Sequence, residues 1–472
     1  MKHFIVVMLM VSAFTTENVI AKNVALDTTE NWQLAIKKIE IWGNKTTKSW
    51  IILRELSFKE GDTLSRFELL NRFEASKQNL TNTSLFNFID LRFVLEDSIN
   101  TTVYIIVTER WYLWPRPIFE LAETNFNSWL ENKDFSRINY GIEFTKNNFR
   151  GRNEKLKVDL QFGFTEKISL SYSIPYINRK QTLGLALSAS FGQNHEVNYI
   201  SEDNKRVFYK DINRVQLKNS SGGFTFRYRR KFYSTHLFGS SFSQVSITDS
   251  VVFYNPYFLT ENDKNIDYFT ASYRYILDKR DNQTYALKGN YFSSWLIKYG
   301  LGITESPIDL WWNKIEYKHY WKLGHKTYLA AMSQLHIFFN DKQPYYFRDG
   351  LGYTDKSTVR SYELYVIDAQ QFGTGKVQFK YQLIAPKKYE LGLVPINKFK
   401  SIHYAIYLGI FGDVGFAHDQ QKYPMNTLAD EWQYGSGLSL DIATYYDLVF
   451  RAEYSVNKFG EHGLFLHFVA PI

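Results

Sequence analysis

No cysteine occurs in the chain, which excludes disulfide staples, thiol catalysis and a lipid anchor attached through a cysteine. Past the first 21 residues no run of about 18 apolar residues appears, so helical membrane spans are not expected. Catalytic and metal signatures are missing too. There is no Gly-x-Ser-x-Gly, and the ten histidines form no pair at metal-ligand spacing with a supporting carboxylate. Gly373-Thr374-Gly375-Lys376 looks like a phosphate loop only superficially, because the first Gly of that motif and the Ser or Thr after the Lys are absent. It reads as a turn entering a strand. No enzyme activity, cofactor, metal or nucleic-acid partner is therefore expected. A lipase-like Ser-His pair assembled from separate strands is the one enzymatic alternative left open.

Aromatic residues, by contrast, are abundant: 34 Tyr and 38 Phe bring the aromatic share to 18%. That load suits a protein with aromatic girdles at two membrane interfaces, where one end of each ring is apolar and the other wet. Residues 1–21 carry Lys2, an apolar run from Phe4 to Phe14, and Val19-Ile20-Ala21, the pattern of a secretory signal cleaved after Ala21. Its removal takes one Lys and one Glu, so the net charge stays at +8. An exported chain without spanning helices is either soluble or a β-barrel, and periodicity separates the two.

Residues 22–110 read as a small α+β module. A strand over Ile36–Trp42 ends at Gly43-Asn44, and a helix with Ile51, Ile52 and Leu56 closes at Gly61-Asp62. A second helix spans about Arg66–Gln78, and strands cover Phe86–Leu95 and Thr101–Thr108. The expected order is β-α-α-β-β. One edge strand of such a sheet stays unpaired and open to an extended client by main-chain hydrogen bonds. Trp111–Pro115 reads as a short connector.

Residues 111–472 read as period-two segments separated by turns. Phe224, Phe226 and Tyr228 alternate with Thr225, Arg227 and Arg229; Leu287, Tyr291 and Trp295 with Lys288, Asn290 and Ser294. Val377, Phe379, Tyr381 and Leu383 alternate with Gln378, Lys380 and Gln382; Leu448, Phe450, Ala452 and Tyr454 with Arg451, Glu453 and Ser455. Sixteen such segments are expected, near 114–122, 136–147, 153–164, 166–175, 180–193, 219–230, 233–247, 265–277, 283–297, 311–322, 325–338, 373–385, 402–416, 432–443, 446–456 and 461–470. Long connections (194–218, 248–264, 339–372) follow odd-numbered segments, and short turns mostly follow even ones. Pro386–Ser401 is a long exception. This is the signature of an antiparallel transmembrane β-barrel of sixteen strands, and a soluble sandwich is the alternative with the same alternation.

Within that frame two stretches stand out: Val359-Arg360-Ser361-Tyr362 in the longest outer loop, and Phe411-Gly412-Asp413-Val414-Gly415 in the thirteenth strand. There Ile406, Leu408, Ile410 and Val414 share a lipid face, so His403, Tyr407, Phe411 and Asp413 point inward. An inward Asp among apolar neighbours needs a partner or water, and Arg offers a planar fork matched to a carboxylate. The bland reading is a solvated Asp and a surface Arg.

The order and turns of the N-terminal module resemble a POTRA domain, and the whole mature chain resembles the BamA/TamA outer-membrane family, which includes the two-partner secretion translocators. The resemblance rests on Val359-Arg360-Ser361-Tyr362, where the family has Val-Arg-Gly followed by Phe or Tyr. It rests equally on Phe411, Asp413 and Gly415 in a Phe-x-Asp-x-Gly pattern. It implies that Arg360 tucks into the barrel and pairs with Asp413. It also implies an outer-membrane barrel with its N-terminal module in the periplasm, inserting or translocating client proteins. The partners implied are the lipid bilayer, an unfolded client β-barrel or secreted protein at the POTRA edge strand, and accessory proteins. A passive porin-like channel is the alternative function. Gln382, Arg451 and Glu453 are the other expected luminal polar residues. Three features depart from the pattern: Ser361 replaces Gly, Gln382 stands where relatives carry Glu, and the chain ends Phe468-Val469-Ala470-Pro471-Ile472 without a terminal aromatic. A single POTRA-like module suggests a specialised member.

Overall fold

The computed structural model describes residues 33–121, 137–340, 342–354, 357–390, 401–423, 425–444 and 449–467. The expected signal segment and residues 468–472 lie outside them. The N-terminal module contains β1 (Gln33–Trp42), α1 (Ser49–Leu53), β2 (Thr63–Ser65), α2 (Arg66–Asn82), β3 (Phe86–Leu95) and β4 (Asn100–Glu109). Its sheet runs β2-β1-β4-β3, with β1 parallel to β4. Ser65 caps α2 by accepting the Glu68 N–H at 3.2 Å. Leu69, Phe73 and Leu80 of α2 then bury one stripe against Leu34, Ile36, Val103 and Ile105 of the sheet.

Two expectations for this module are corrected. β2 is an additional strand between the helices, paired with Gln33–Ala35. It is three residues long with one apolar residue, too short for any periodicity to show. Nor is 111–115 a free connector. Tyr112 is buried in the module's core and donates to Leu85 O at 3.0 Å, and the first barrel strand begins one residue later.

The remaining strands are β5 (Leu113–Leu121), β6 (Ile138–Phe149), β7 (Glu154–Gly163), β8 (Thr165–Ile174), β9 (Leu183–Asn194), β10 (Glu196–Glu202), β11 (Lys205–Lys210), β12 (Leu217–Arg230), β13 (Ser234–Ile247), β14 (Asn265–Asp278), β15 (Gly289–Tyr299), β16 (Leu310–Lys322), β17 (Thr327–Phe338), β18 (Asp349–Leu351), β19 (Ile367–Ala369), β20 (Gln371–Glu390), β21 (Ser401–His418), β22 (Trp432–Thr444), β23 (Val449–Asn457) and β24 (His462–His467). Sixteen of them form one antiparallel sheet in chain order from β5 to β24, while β10-β11 and β18-β19 are separate hairpins in long connections. A short helix, α3 (Asp249–Tyr254), sits in a third.

The sheet is inside out by soluble standards. Along β20, Lys376, Gln378, Lys380 and Gln382 are buried, whereas Val377, Phe379, Tyr381 and Leu383 are exposed. On β21, Tyr407, Phe411 and Asp413 are buried and Leu408 and Ile410 exposed. A soluble sandwich would bury the apolar face, so this polarity belongs to a barrel whose apolar face meets lipid. No helix among the described residues is long and apolar enough to cross a membrane.

Two strand boundaries also change. The ninth barrel strand starts at Gly289 rather than 283, because Asp281 and Asn282 fold the chain into a turn: Asn282 Oδ1 accepts the N–H groups of Thr284 and Tyr285, and Asp281 Oδ1 that of Leu287. Leu287 and Lys288 thus precede the strand. The long connection expected at 386–401 begins and ends in strand: β20 continues to Glu390, which pairs with Ser401, and residues 391–400 lie outside the described ones. Pro386 is accommodated where the register shifts between Ile384 and Lys387, since a proline has no donor for the ladder.

Candidate functional site

The chain between β17 and β20 turns back into the lumen. Val359, Arg360, Ser361 and Tyr362 are all buried, as are Phe411, Asp413 and Gly415 on β21. Arg360 Nε donates to Asp413 Oδ2 at 2.8 Å and Nη2 to Asp413 Oδ1 at 2.6 Å, a two-point fork on one carboxylate. The Arg360 backbone N–H adds a third bond to Asp413 Oδ2 at 3.1 Å. The guanidinium lies over the Phe411 ring, 3.7 Å from its centroid, so both motif residues of β21 hold it. Nη1 reaches Glu453 Oε1 on β23 at 3.3 Å.

Close approach of the loop depends on missing side chains. A Cβ on Gly435 of β22 would stand 2.1 Å from the Arg360 carbonyl oxygen, and one on Gly415 would stand 2.5 Å from Val359 Cγ2. Ser361 has φ of 81°, the left-handed region that a glycine enters freely and a serine does not. Asn457 Nδ2 donates to the Ser361 carbonyl at 3.2 Å and helps hold that conformation.

Below this pair lies a second one. Arg451 binds Asp441 through Nε and Nη2 at 2.7 and 2.9 Å, and its Nη1 lies 3.4 Å from the Glu453 Oε1 that Arg360 also touches. Tyr285 donates to Asp441 at 2.7 Å from across the lumen, and Lys380 Nζ sits 3.9 Å from Asp441 and over the Tyr285 ring. His467 on β24 approaches Glu453 Oε2 at 3.2 Å, and Tyr365 in the same loop donates to Glu461 in the β23–β24 turn. The loop thus touches β21, β22 and β23, and Glu453 links it to β24.

Among the expected luminal residues, Arg451 and Glu453 therefore join the Arg360 cluster, and Gln382 does not. Gln382 is buried but bonds Tyr407 at 3.2 Å, six residues along β21 from Asp413, roughly 20 Å at the rise of a strand. The residue opposite Asp413 on β20 is Lys376. Lys376, Lys380, Asp441, Tyr285 and His467 are missed by sequence reasoning. For the two lysines a signal existed, since they alternate with Val377, Phe379 and Tyr381 on β20.

A different set of contacts seats the N-terminal module on the barrel. Glu55 receives Arg229 of β12 through two bonds of 2.6 and 2.9 Å and the Tyr176 hydroxyl at 3.1 Å. Asn148 of β6 donates to Thr47 Oγ1 at 2.8 Å, and Gln78 of α2 donates to the Arg280 carbonyl at 2.8 Å. Glu55 thus ties the N-terminal module to the barrel wall at β12.

The sequence matches the Omp85 superfamily domain over residues 148–453 and a POTRA domain, described as a surface antigen variable number repeat, over 34–110. Solved structures share the fold. One is BamA from Haemophilus ducreyi lacking POTRA domains 1–3 (TM-score 0.51, 12% identity, 92% of this chain and 83% of that one). Another is CdiB from Escherichia coli (TM-score 0.53, 9% identity, 92% and 75%). No curated protein sequence matches the chain.

Proposed function

The chain belongs to the Omp85 superfamily, whose outer-membrane members act in protein insertion or translocation, and from that premise we propose that it handles client β-barrels or secreted chains through an openable seam. The observation that carries this reading is the seam itself. Among the described residues, no pairing joins β5 to β24, the two ends of the sheet. β5 contains Pro115 and Pro117, yet its register with β6 runs unbroken from Leu113 to Leu121. The two missing donors therefore belong to the edge turned away from β6, which is the edge a closing strand would need. On the other side β24 contributes six described residues, with Gly463 near its start. An orphan backbone group facing lipid costs several kcal/mol, so such an edge favours any strand that can pair with it.

In this reading the N-terminal module faces the periplasm and offers its outer strand β3 to an extended client. The Arg360 loop, held by Asp413 and Glu453, braces β21–β23 while the adjacent seam opens. The test is reconstitution in liposomes with a second, unfolded barrel. Faster folding of that barrel supports the reading; solute flux without assisted folding favours a passive channel instead.

A further inference from the structure

A cavity of about 630 Å³ lies at the module-side mouth of the lumen, between Asn79 and Asn82 of α2 and the inner faces of β12 and β13. Its charges do not balance. Both carboxylates on its wall are already gripped at two points, Glu55 by Arg229 at 2.6 and 2.9 Å and Asp278 by Arg280 at 2.9 and 2.7 Å. Arg227, two residues along the same face of β12, also lines the cavity and makes neither a hydrogen bond nor an ion pair among the described residues. Its cross-strand neighbours are Gly184 on β9 and Leu237 on β13, which cannot neutralise it. The next cation on this inner face, Arg274 of β14, bonds the Ser293 and Tyr291 hydroxyls and lies over the Trp295 ring, again without a carboxylate among the described residues. Arg54 adds a further guanidinium at the rim, 3.4 Å from the Glu55 oxygen that Arg229 already holds.

A guanidinium half-enclosed in a cavity and without an ion pair among the described residues offers its planar fork to a carboxylate. We propose that this cavity binds the carboxylates of an acidic stretch of extended polypeptide, with Arg227 as the recognising fork. The proposal rests on the reading that clients are polypeptides met from the module side. The sheet separates the cavity from the bilayer, which disfavours a lipid phosphate as occupant. Its volume falls within the range of about 300–1,000 Å³ typical of ligand sites, and the Thr225 and Thr235 hydroxyls line it with groups able to bond a peptide backbone, while Asn79 and Asn82 already donate to the Glu55 and Arg280 carbonyls.

The experiment uses the full chain in nanodiscs and a fluorescent oligoglutamate peptide, with oligoglutamine of equal length as control and anisotropy as readout. The glutamate peptide is expected to bind in a salt-sensitive way, and Arg227→Gln to weaken it about tenfold, as loss of one charge-assisted fork predicts. Arg227→Lys, which keeps the charge but not the fork, is expected to fall between. Heat-modifiable mobility checks that each variant is folded. Equal binding of the glutamine peptide, or unchanged affinity in folded Arg227→Gln, overturns the proposal. So does displacement of the peptide by equimolar inorganic phosphate, which would mark a simple anion site. If the protein assists folding of a second barrel yet binds no glutamate peptide, this inference fails alone. If it binds the peptide but assists no folding, the function proposed above fails instead.

Discussion

Arg360 and Asp413, 53 residues apart in the chain, meet through three hydrogen bonds of 2.6, 2.8 and 3.1 Å, one of them from the Arg360 backbone. Both are buried, so Arg360→Ala strips Asp413 of its fork and Asp413→Ala leaves Arg360 only its 3.3 Å carboxylate contact with Glu453, at a cost of about 3–5 kcal/mol where burial is deep and less where Glu453 or luminal water relieves it. Arg360→Ala and Asp413→Ala are each expected to expose the loop to protease and alter heat-modifiable mobility. The exchange Arg360→Asp with Asp413→Arg is expected to recover only a minor part, because an acid at 360 would face Glu453. A double-mutant cycle reads the coupling. A coupling near zero, with the loop equally protected in all four proteins, would show that the pair does not hold the loop.

Gly435 should tolerate nothing larger. In Gly435→Ala the new Cβ meets the Arg360 carbonyl oxygen at 2.1 Å, so the loop must retreat. Ser361→Gly, in contrast, is expected to stabilise the loop by about 1 kcal/mol, since φ of 81° strains a serine. Loop proteolysis should move in opposite directions in the two variants, and equal behaviour would mean the loop does not pack against β22.

Sheet polarity predicts a depth-dependent asymmetry. Leu408→Arg or Ile406→Arg on the lipid face should cost about 2–4 kcal/mol near the bilayer midplane. Ser188→Arg, on the inner face opposite Gly223, should cost little. Gln378 is a poor luminal control, because it is fully buried and donates to Ser439 Oγ at 2.7 Å, leaving no room for Arg. Denaturant unfolding from liposomes measures the difference, and equal costs on both faces would contradict the inside-out assignment.

In the β3–β4 turn, the Asn100 and Ile99 backbone N–H groups and the Asn100 amide hold the Asp97 carboxyl at a pKa of about 2, below its usual 3.8. A folded-state pKa below the unfolded one contributes stability that is present above about pH 4 and is lost as pH falls toward 2. An NMR titration should place the Asp97 midpoint near 2, and Asp97→Ala should remove that part of the acid sensitivity. A midpoint near 4 would mean that the turn does not form.

The sixteen strands of the barrel sheet were legible because they announce themselves locally, unlike the three-residue β2 and the hairpins β10-β11 and β18-β19 inside the long connections. Alternation across β12 or β20 is written within a dozen residues, and since side chains of a strand alternate strictly, the same pattern that reveals the strand assigns its lipid and luminal faces. The module's second helix, set by the Ser65 cap and the spacing of Leu69, Phe73 and Leu80, was readable for the same reason, whereas the first ends at Leu53 and leaves the expected Leu56 outside it. The pairing of Arg360 with Asp413 came from motif resemblance combined with that face assignment, not from spacing.

Only the tertiary structure decided what the inward groups meet. Glu453 lies 93 residues from Arg360, and Tyr285 lies 156 from Asp441; curvature of the whole sheet brings them together, which no local pattern encodes. The continuation of β20 past Pro386, the three-residue β2 and the docking of Glu55 on Arg229 have the same origin: each depends on a partner strand or surface distant in the chain. The sequence determined the sheet and its two faces. The fold chose which charges are matched, and among the described residues left Arg227 without an ion pair, because pairing inside a barrel follows three-dimensional proximity rather than order along the chain.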